Sequence, residues 1–396
     1  MVDTGGLALL DGSNSSDPDG DVLYYQWEFT AKPVGSKASI ADSDLSVAYF
    51  QPDMDGDYDV RLTVSDGVFT STDNVKITSV TGAWTAPTNQ PVVANNTSGG
   101  WDSDAVLSPC VILDSGVYKM WYTGIDSGGT YRIGYAESGD GVTWNNNILV
   151  LDSNSSPGTW DDDGVGYPSV IKEGSTYHMW YAGFDASWGN GVWSIGHATS
   201  NDGKNWTVDP ANPVLVRSPG AWDRDGVSMP WVEKLNGLYF VYYTGYRNYD
   251  LTAVPPDMES DIGLAIATSP SGPYAKQGSL LTDGGGGTWD DYAVLEPNVS
   301  ILDGGIFVMY YEGWPNQPSS VNAIPVSFIG LAVSTDGFNW YKVNGTGGPV
   351  IFPGGDAWKD KHVGGPSYLN LKSSGGSEMI WFHGAGATYQ IGLETR

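Results

Sequence analysis

The chain has 396 residues, of which 18 are basic and 46 are acidic, giving a net charge of −28. This acidic excess argues against a nucleic-acid partner and against an anionic membrane surface, because both are bound through clustered Lys and Arg. No run of about 18 apolar residues occurs, so the sequence predicts no membrane insertion.

The first 80 residues alternate short apolar strands with turns rich in Gly, Asp and Pro, which is typical of a small β-sandwich. Residues 10–29 (LDGSNSSDPDGDVLYYQWEF) and 56–77 (GDYDVRLTVSDGVFTSTDNVKI) resemble parts of a PKD domain, an immunoglobulin-like module. The resemblance implies that residues 1–80 are a spacer or attachment module of an extracellular protein. We therefore expect a secreted or cell-surface protein.

One turn of this segment places the carboxylates of Asp17, Asp19 and Asp21 at alternate positions. Such a turn can wrap a hard cation such as Ca²⁺. Its carboxylates can equally well bond the backbone of the turn itself. The sequence leaves both interpretations open, and it suggests no organic cofactor.

Two further features bear on the cellular setting. Met1 leads directly into Val-Asp-Thr without an apolar signal segment, so we expect the chain to begin inside a longer precursor. The single cysteine, Cys110, excludes an internal disulfide framework, and we expect it to be a buried, inert thiol.

Residues 83–396 repeat one pattern five times. Each repeat has an opening Trp, a Val five and a Pro eight positions later, an aromatic strand that ends in Gly, and a third short strand. The repeats open at Trp101, Trp160, Trp222, Trp289 and Trp358. A period of about 60 to 70 residues built from short strands is typical of propeller blades. We predict an all-β protein in which the sandwich is followed by a five-bladed β-propeller.

The propeller should be closed by its N-terminal segment. The fifth repeat stops at Arg396 without the fourth strand that ends the other repeats, and residues 83–93 (AWTAPTNQPVV) supply a segment of that kind. Closure would leave no exposed sheet edge in the ring.

Residues common to all repeats are most simply scaffold, so the deviations mark a candidate site. The residues three positions after Trp are Asp104, Asp163, Asp225, Tyr292 and Lys361. The residues seven positions after Trp are Ser108, Tyr167, Met229, Glu296 and Gly365. Strand alternation would place both sets on one face, so we expect three Asp, one Glu and one Tyr to converge on the channel. His362 is the only large residue four positions after Trp.

Loops between the second and third strands should lie at the same end of the propeller as these acids. The loops contain Trp188, Trp193, Tyr246, Arg247, Tyr249 and Trp314. Aromatic rings stack on the C–H faces of sugars, and acids accept bonds from sugar hydroxyls. We therefore predict a site for a polysaccharide or oligosaccharide, lined by these residues together with Asp163, Tyr167 and Tyr292.

The whole array resembles the five-bladed propellers of glycoside hydrolase families 43 and 32. Glu296 and Pro297, in the sequence Val-Leu-Glu-Pro-Asn-Val, match the general-acid position of those families. The resemblance implies two further inward carboxylates, for which Asp104 and either Asp225 or Asp163 are the candidates. It also implies that His362 and His383 lie near Ca²⁺ or another ion in the channel.

Three functions remain open on these grounds. The first is a glycosidase that acts on plant or algal polysaccharide through Glu296, Asp104 and Asp225. The second is a carbohydrate-binding or adhesive surface protein without catalysis, because the first three blades lack an acid seven positions after Trp. The third is a structural surface protein whose acids hold Ca²⁺. In each case we expect a monomer.

Overall fold

A computed structural model describes residues 2–3, 8–80, 84–154, 156, 158–185, 192–250, 257–302, 305–316, 324–343, 349–372 and 376–396. Its regular structure is β-strand, which confirms the predicted all-β class. The part of the chain that is described has no helix long and apolar enough to cross a bilayer.

The N-terminal strands form two small sheets. They are β1 (Val2–Asp3), β2 (Ala8–Asp11), β3 (Tyr24–Ala31), β4 (Val47–Phe50), β5 (Gly56–Ser65) and β6 (Thr70–Val80). One sheet has the order β1-β6-β5-β3, and β2 pairs with β4 in the other. Their inner faces meet in a core that includes Leu10, Trp27, Phe50, Tyr58 and Val60. The alternation of apolar and polar residues in β5 produces this one-sided burial.

Five antiparallel blades follow, and a parallel pairing of Gly164 with Tyr131 joins the first two into one eight-stranded sheet. The first blade is β7 (Ala105–Asp114), β8 (Val117–Ile125), β9 (Tyr131–Ser138) and β10 (Asn145–Leu151). The second is β11 (Gly164–Glu173), β12 (Thr176–Asp185), β13 (Val192–Ser200) and β14 (Thr207–Val208). The third blade is β15 (Gly226–Leu235), β16 (Leu238–Asp250), β17 (Asp257–Ala267) and β18 (Ala275–Leu281). The fourth is β19 (Ala293–Ile301), β20 (Phe307–Trp314), β21 (Phe328–Ser334) and β22 (Tyr341–Lys342). The fifth is β23 (His362–Asn370), β24 (Glu378–Ala385) and β25 (Tyr389–Thr395).

The innermost strands form a closed ring. Strand β7 contacts both β11 and β23, and β15 and β19 complete the circle. The predicted closure by the N-terminal segment is present as two short bridges to the last strand, from Thr85 to Thr395 and from Val93 to Ile391. Both ends of the propeller chain are thereby held in the fifth blade.

The recurring Trp and Gly residues are scaffold, as expected. The ring of Trp101 covers Gly124 and Gly134, where a Cβ would come within 2.3 and 2.0 Å of ring atoms. The other four opening tryptophans cover a pair of glycines in the same way. Any larger residue at these glycines would displace the tryptophan from its blade.

A ring of hydrogen bonds also ties each blade to the next through the residue nine positions after Trp. Four of these side chains accept a backbone N–H of the following blade: Cys110 from Val170 (3.2 Å), Ser169 from Val232 (3.0 Å), Asn298 from Tyr368 (3.2 Å) and Ser367 from Val111 (2.9 Å). The fifth, Trp231, donates its Nε1–H to Val299 O at 2.7 Å. Cys110 is fully buried in this ring, and burial raises its thiol pKa to about 12, in line with the expected inert thiol.

Candidate functional site

The channel at the propeller axis is lined by the residues seven positions after each opening Trp. Ser108, Tyr167, Met229, Glu296 and Gly365 have φ angles between 48° and 55°. Each lies at a register shift, or β-bulge, in the pairing of its inner strand with the second strand of the blade. With the proline that follows each of them, they line a cavity of about 30 Å³. Because left-handed backbone is costly for side chains other than Gly, its recurrence in all five blades shows that the fold imposes it.

In four of the five blades, a side chain of the second strand accepts a hydrogen bond from the inner strand of the next blade at this position. The residues immediately before its terminal Gly are Thr123, Ala182, Thr244, Glu312 and His383. Thr123 Oγ1 accepts from Tyr167 N at 2.7 Å, and Thr244 Oγ1 accepts from Glu296 N at 3.0 Å. His383 Nδ1 accepts from Ser108 N at 3.1 Å, and Glu312 accepts from Gly365 N. Two ionisable groups thus occupy a column that is otherwise Thr or Ala.

Four buried ionisable side chains meet beside this ring: Glu296, Glu312, His362 and His383. The two imidazoles stack with their planes 13° apart, and their Nε2 atoms are 2.9 Å from each other. His362 Nε2 lies 3.3 Å from Glu312 Oε1, and His383 Nδ1 lies 3.7 Å from Glu296 Oε2. Ser108 Oγ donates to Glu296 Oε1 at 2.9 Å. Blades one, four and five therefore build one centre.

The hydrogen bonds fix both histidines as neutral tautomers. His362 Nδ1 lies 3.0 Å from Pro325 O, a carbonyl that can only accept, so this nitrogen carries the proton. His383 Nδ1 accepts from Ser108 N–H, so its Nε2 carries the proton and donates it to His362 Nε2. Burial lowers the pKa of His362 to about 4. Burial and the neighbouring His362 lower the pKa of His383 well below its usual value.

The pKa values of the two carboxyl groups, Glu296 and Glu312, are raised. Burial raises the pKa of Glu296 to about 8, although the bond from Ser108 acts to lower it. Burial and the neighbouring Glu296 raise the pKa of Glu312 well above its usual value. Among the described residues, Glu296 Oε2 has no hydrogen-bond partner, and the residue is 7% exposed. Burial therefore favours the protonated form of the Glu296 carboxyl near neutral pH.

This centre does not fit the Ca²⁺ ion that the sequence resemblance implies. Glu312, His362 and His383 each offer an atom within 4.8 Å of the others. Calcium takes about six to eight oxygen ligands, whereas two of these three donors are nitrogens. Moreover, His383 Nε2 carries a proton and has no lone pair for a metal. The side chains satisfy one another instead.

The aspartates three positions after Trp lie directly before their inner strands, whereas Glu296 lies within one. Asp104 and Asp163 are exposed, and the Asp225 side chain is 34% exposed. The backbone N–H of each aspartate donates a hydrogen bond to a carbonyl of the second strand of the same blade. For Asp104 the acceptor is Ile125 O, at 2.8 Å. The left-handed residue interrupts the strand alternation on which the expected convergence with Glu296 was based, so that convergence stays a prediction. The carboxyl beside Glu296 is Glu312, and the roles of Asp104 and Asp225 stay predictions.

A cluster of aromatic rings, called here the aromatic collar, lies near the two glutamates. It consists of Tyr131, Tyr167, Trp193, Tyr246, Tyr249 and Tyr389. Trp193 Nε1 donates to Tyr249 Oη at 3.2 Å, and the Tyr389 ring lies 5.4 Å from that of His383. Tyr167, Trp193 and Tyr249 were predicted to bind substrate and lie in this collar. Tyr131 and Tyr389 were not predicted, since nothing in their repeats sets them apart as single residues.

Other predicted residues have different surroundings. Trp314 is buried and donates its Nε1–H to Glu312 Oε1, so it lies behind the acid. Tyr292 Oη donates to Asp257 at 2.8 Å. The Arg247 guanidinium bonds Glu259, Asp261 and Asp283, so three carboxylates occupy it. Trp188 lies outside the described residues.

Sequence reasoning missed Glu312. It is the only carboxylate in the column before the terminal Gly of the aromatic strand, so the comparison of repeats that singled out Glu296 would also have found it. His383 was named only through the family resemblance.

The acidic turn of the N-terminal sandwich bonds its own backbone. Asp17 Oδ1 accepts from Asp19 N at 2.8 Å and from Asp21 N at 3.2 Å. Asp19 and Asp21 are exposed. This is the self-bonded turn that the sequence allowed, and Ca²⁺ binding there stays a prediction.

Known proteins resemble the two parts of the chain separately. Residues 4–79 match a family model described as a PKD domain. An uncharacterised protein of Mycobacterium tuberculosis is 33% identical over an alignment of 152 residues that covers 36% of this chain and 48% of that protein. The chain thus spans about half the length of such curated relatives. The 1,2-beta-oligomannan phosphorylase of Thermoanaerobacter sp. is 26% identical over 229 residues, covering 43% of this chain and 75% of the relative.

Solved structures show the same propeller fold. A glycosyl hydrolase from Bacteroides ovatus superposes with a TM-score of 0.58 at 18% identity, over 79% of this chain and 93% of the other. A family 117 glycoside hydrolase from the marine bacterium Zobellia galactanivorans gives 0.55 at 16% identity, over 79% and 90%. A structure described under the GH130 family of mannoside phosphorylases gives 0.58 at 17% identity, over 79% and 93%, and the resemblance to families 43 and 32 in particular is not confirmed.

Proposed function

We propose that this protein cleaves glycosidic bonds by hydrolysis, with Glu296 as the general acid. The observation that carries the proposal is the buried Glu296 carboxyl at the axis, whose pKa is raised to about 8. A general acid must hold its proton near neutral pH and release it to the leaving oxygen as the bond breaks. Burial supplies the first property, and the unengaged Oε2 supplies an atom that can donate.

Glu312 acts as a positioning residue in this proposal. It is 1% exposed and accepts bonds from Trp314 and from Gly365 N–H. It lies behind the imidazole pair, where it fixes the fifth blade against Glu296. A group so enclosed cannot reach a sugar carbon.

The second catalytic carboxylate is proposed to be Asp225. This aspartate is tied to the aromatic collar, because its Oδ2 accepts from the backbone N–H of Tyr249 at 3.3 Å. A carboxylate that does not touch the acid leaves room for a water molecule between them, as an inverting mechanism requires. Asp104 is the alternative base.

Hydrolysis is favoured over transfer to phosphate by the charges of the mouth. A phosphate nucleophile needs cationic side chains free to bind it. Arg247, at this mouth, is already bonded to three carboxylates. The PKD-like domain, in addition, supports a location at a carbohydrate surface outside the cell.

The test compares the wild type with Glu296→Gln on arabinan, xylan, fructan, mannan oligosaccharides and aryl glycosides, each with and without inorganic phosphate. We expect phosphate-independent cleavage that falls at least about 100-fold in the variant. Glu28→Gln, an exposed position in the sandwich, is the matched control and should cleave at the wild-type rate. Unchanged turnover by Glu296→Gln would remove the assignment, and strict dependence on phosphate would favour phosphorolysis.

A further inference from the structure

We infer that a second cavity, formed where the inner strands of blades three, four and five end, binds a small uncharged polyol such as a single sugar unit. This inference goes beyond the proposed function and does not depend on cleavage at Glu296. It rests on an acid that breaks the repeat pattern, on the cavity around that acid, and on the pairing of the charged groups in the cavity wall.

The acid is Glu233, which departs from the other residues of its column. The residues eleven positions after each opening Trp are Ile112, Ile171, Glu233, Ser300 and Leu369. Three of the five are aliphatic, as expected of scaffold, and Glu233 is the only ionisable one. The same kind of departure from the repeat singles out Glu296. An acid and a hydroxyl in an aliphatic column therefore mark a second candidate site.

Glu233, Ser300 and Leu369 meet in a cavity of about 350 Å³, whose wall also includes Ile301 and Leu302. Each of the three lies four residues further along its inner strand than the left-handed residue of the same blade. Four residues of extended chain span roughly 13 Å, so this cavity lies well beyond the left-handed ring. Small-molecule sites in proteins measure about 300–1,000 Å³, so the cavity has room for one sugar ring.

The Glu233 carboxyl is weakly bonded by the protein. Among the described residues, its hydrogen-bond donor is Trp231 Nε1, 3.3 Å from Oε1, and that N–H lies closer to Val299 O, at 2.7 Å. Burial raises the pKa of Glu233 to about 7. A buried carboxyl with so few bonds is costly, and a ligand that bonds it offsets the cost. A sugar hydroxyl both donates and accepts, so it can bond the carboxyl in either protonation state.

The charged groups elsewhere in the wall are already paired. Lys372 Nζ lies 2.7 Å from Glu378 Oε2, and Tyr368 Oη donates to Glu378 Oε1. The Ser300 hydroxyl and the Asn370 amide add neutral groups that can donate and accept. Within the described part of the wall, the polar groups thus suit hydroxyls better than an ion. The aliphatic side chains beside them can pack against the C–H face of a sugar.

The test uses NMR of protein labelled with ¹³C at its glutamate carboxyl groups. The spectrum of Glu233→Gln identifies the Glu233 resonance, and that of Glu296→Gln identifies the Glu296 resonance. Methyl glycosides of glucose, galactose, mannose, xylose and arabinose are titrated separately at neutral pH. We expect at least one of them to shift the Glu233 resonance in the wild type.

Two variants assign that shift to the cavity. Ser300→Trp places an indole in the cavity and should weaken binding, measured on the Glu233 resonance, at least about tenfold. Asn370→Ala removes an exposed amide without crowding the strand and should weaken it several-fold. Glu28→Gln removes one exposed carboxylate of the sandwich and should bind as the wild type does.

Three results would overturn the inference. The first is a Glu233 resonance that none of the sugars shifts, whether or not the Glu296 resonance moves. The second is a shift that both Ser300→Trp and Asn370→Ala leave unchanged. The third is a shift caused by ethanolamine and by none of the sugars, because Glu233 would then serve as the counter-ion of an amine. None of these results bears on cleavage at Glu296, which the activity assays test separately.

Discussion

Ser108 in the first blade donates its hydroxyl to Glu296 in the fourth blade, with 2.9 Å between Oγ and Oε1. The bond crosses the channel and exists only because the ring is closed. It also shifts the protonation equilibrium of Glu296, since a hydrogen bond to a carboxylate favours the ionised form.

Replacing Ser108 by Ala should move the pH limit of activity upwards. The Ser108 bond lowers the pKa of Glu296, so its loss raises a value already near 8. Activity that needs protonated Glu296 should then persist to higher pH, and kcat should fall several-fold because the acid is less well held. The pH profiles of kcat/KM for Ser108→Ala and for the exposed control Ser98→Ala measure the shift; an unchanged alkaline limb would contradict the assignment of that limb to Glu296.

The stability of the protein should fall as pH rises from about 4.5 to about 8. In that window the unfolded chain releases the Glu296 proton while the folded chain retains it, because the folded pKa is raised to about 8. Glu296→Gln cannot ionise, so it should gain stability relative to wild type at pH 8, on the order of 2 kcal/mol. Urea unfolding at pH 5 and pH 8 measures the difference. The control Glu28→Gln should lose as much stability between pH 5 and pH 8 as the wild type does.

His362 should produce the opposite dependence at acid pH. Burial lowers its folded pKa to about 4, so below its usual pKa of 6.5 the unfolded chain binds a proton that the folded chain refuses. Stability is therefore lost as pH falls from about 6.5 towards 4. His362→Gln can still donate to Pro325 O and should flatten this loss in thermal unfolding between pH 4 and 7. An equally steep loss in the variant would assign it to other groups.

Gly365→Ala should abolish activity. A Cβ at this position would lie 2.4 Å from Glu296 Oε2 and 2.5 Å from His383 Nδ1, and the backbone φ of 55° adds strain. We expect a loss of at least about 100-fold in kcat together with destabilisation of roughly 1–3 kcal/mol. Gly116→Ala has a φ of 83° with open space around its Cβ, so it carries the strain without the clash and should retain activity.

Ser367→Ala should destabilise the ring without changing the chemistry. Its Oγ accepts from Val111 N at 2.9 Å between the fifth and first blades, and both groups are buried. An unsatisfied buried N–H costs roughly 1–3 kcal/mol. Thermal unfolding should show this loss of stability. The value of kcat/KM should stay within about twofold, because groups without shared partners act independently. A proportional loss of kcat/KM would mean that this bond also positions Glu296.

Comparison of the repeats predicted much of the scaffold and part of the site. Trp101 and its counterparts, the glycines beneath them and the closure by residues 84–93 follow from a pattern written five times. Glu296 was found because it breaks that pattern at the position seven after Trp. Strand alternation predicted Asp104 and Asp225 beside it as well, but the left-handed backbone interrupts that alternation at Glu296, and the carboxyl that the structure shows beside Glu296 is Glu312.

The sequence by itself determined the number of blades, because each repeat must bury the same Trp against the same glycines. It also determined which residue in the inner column is an acid. Only the tertiary structure decided the neighbours of that acid. Glu312 lies beside Glu296 because β19 and β20 pair within the fourth blade, with Glu312 opposite Leu295. His383 meets both acids because the fifth blade packs against the fourth. Their shifted pKa values follow from the burial that this meeting creates, which no linear pattern specifies.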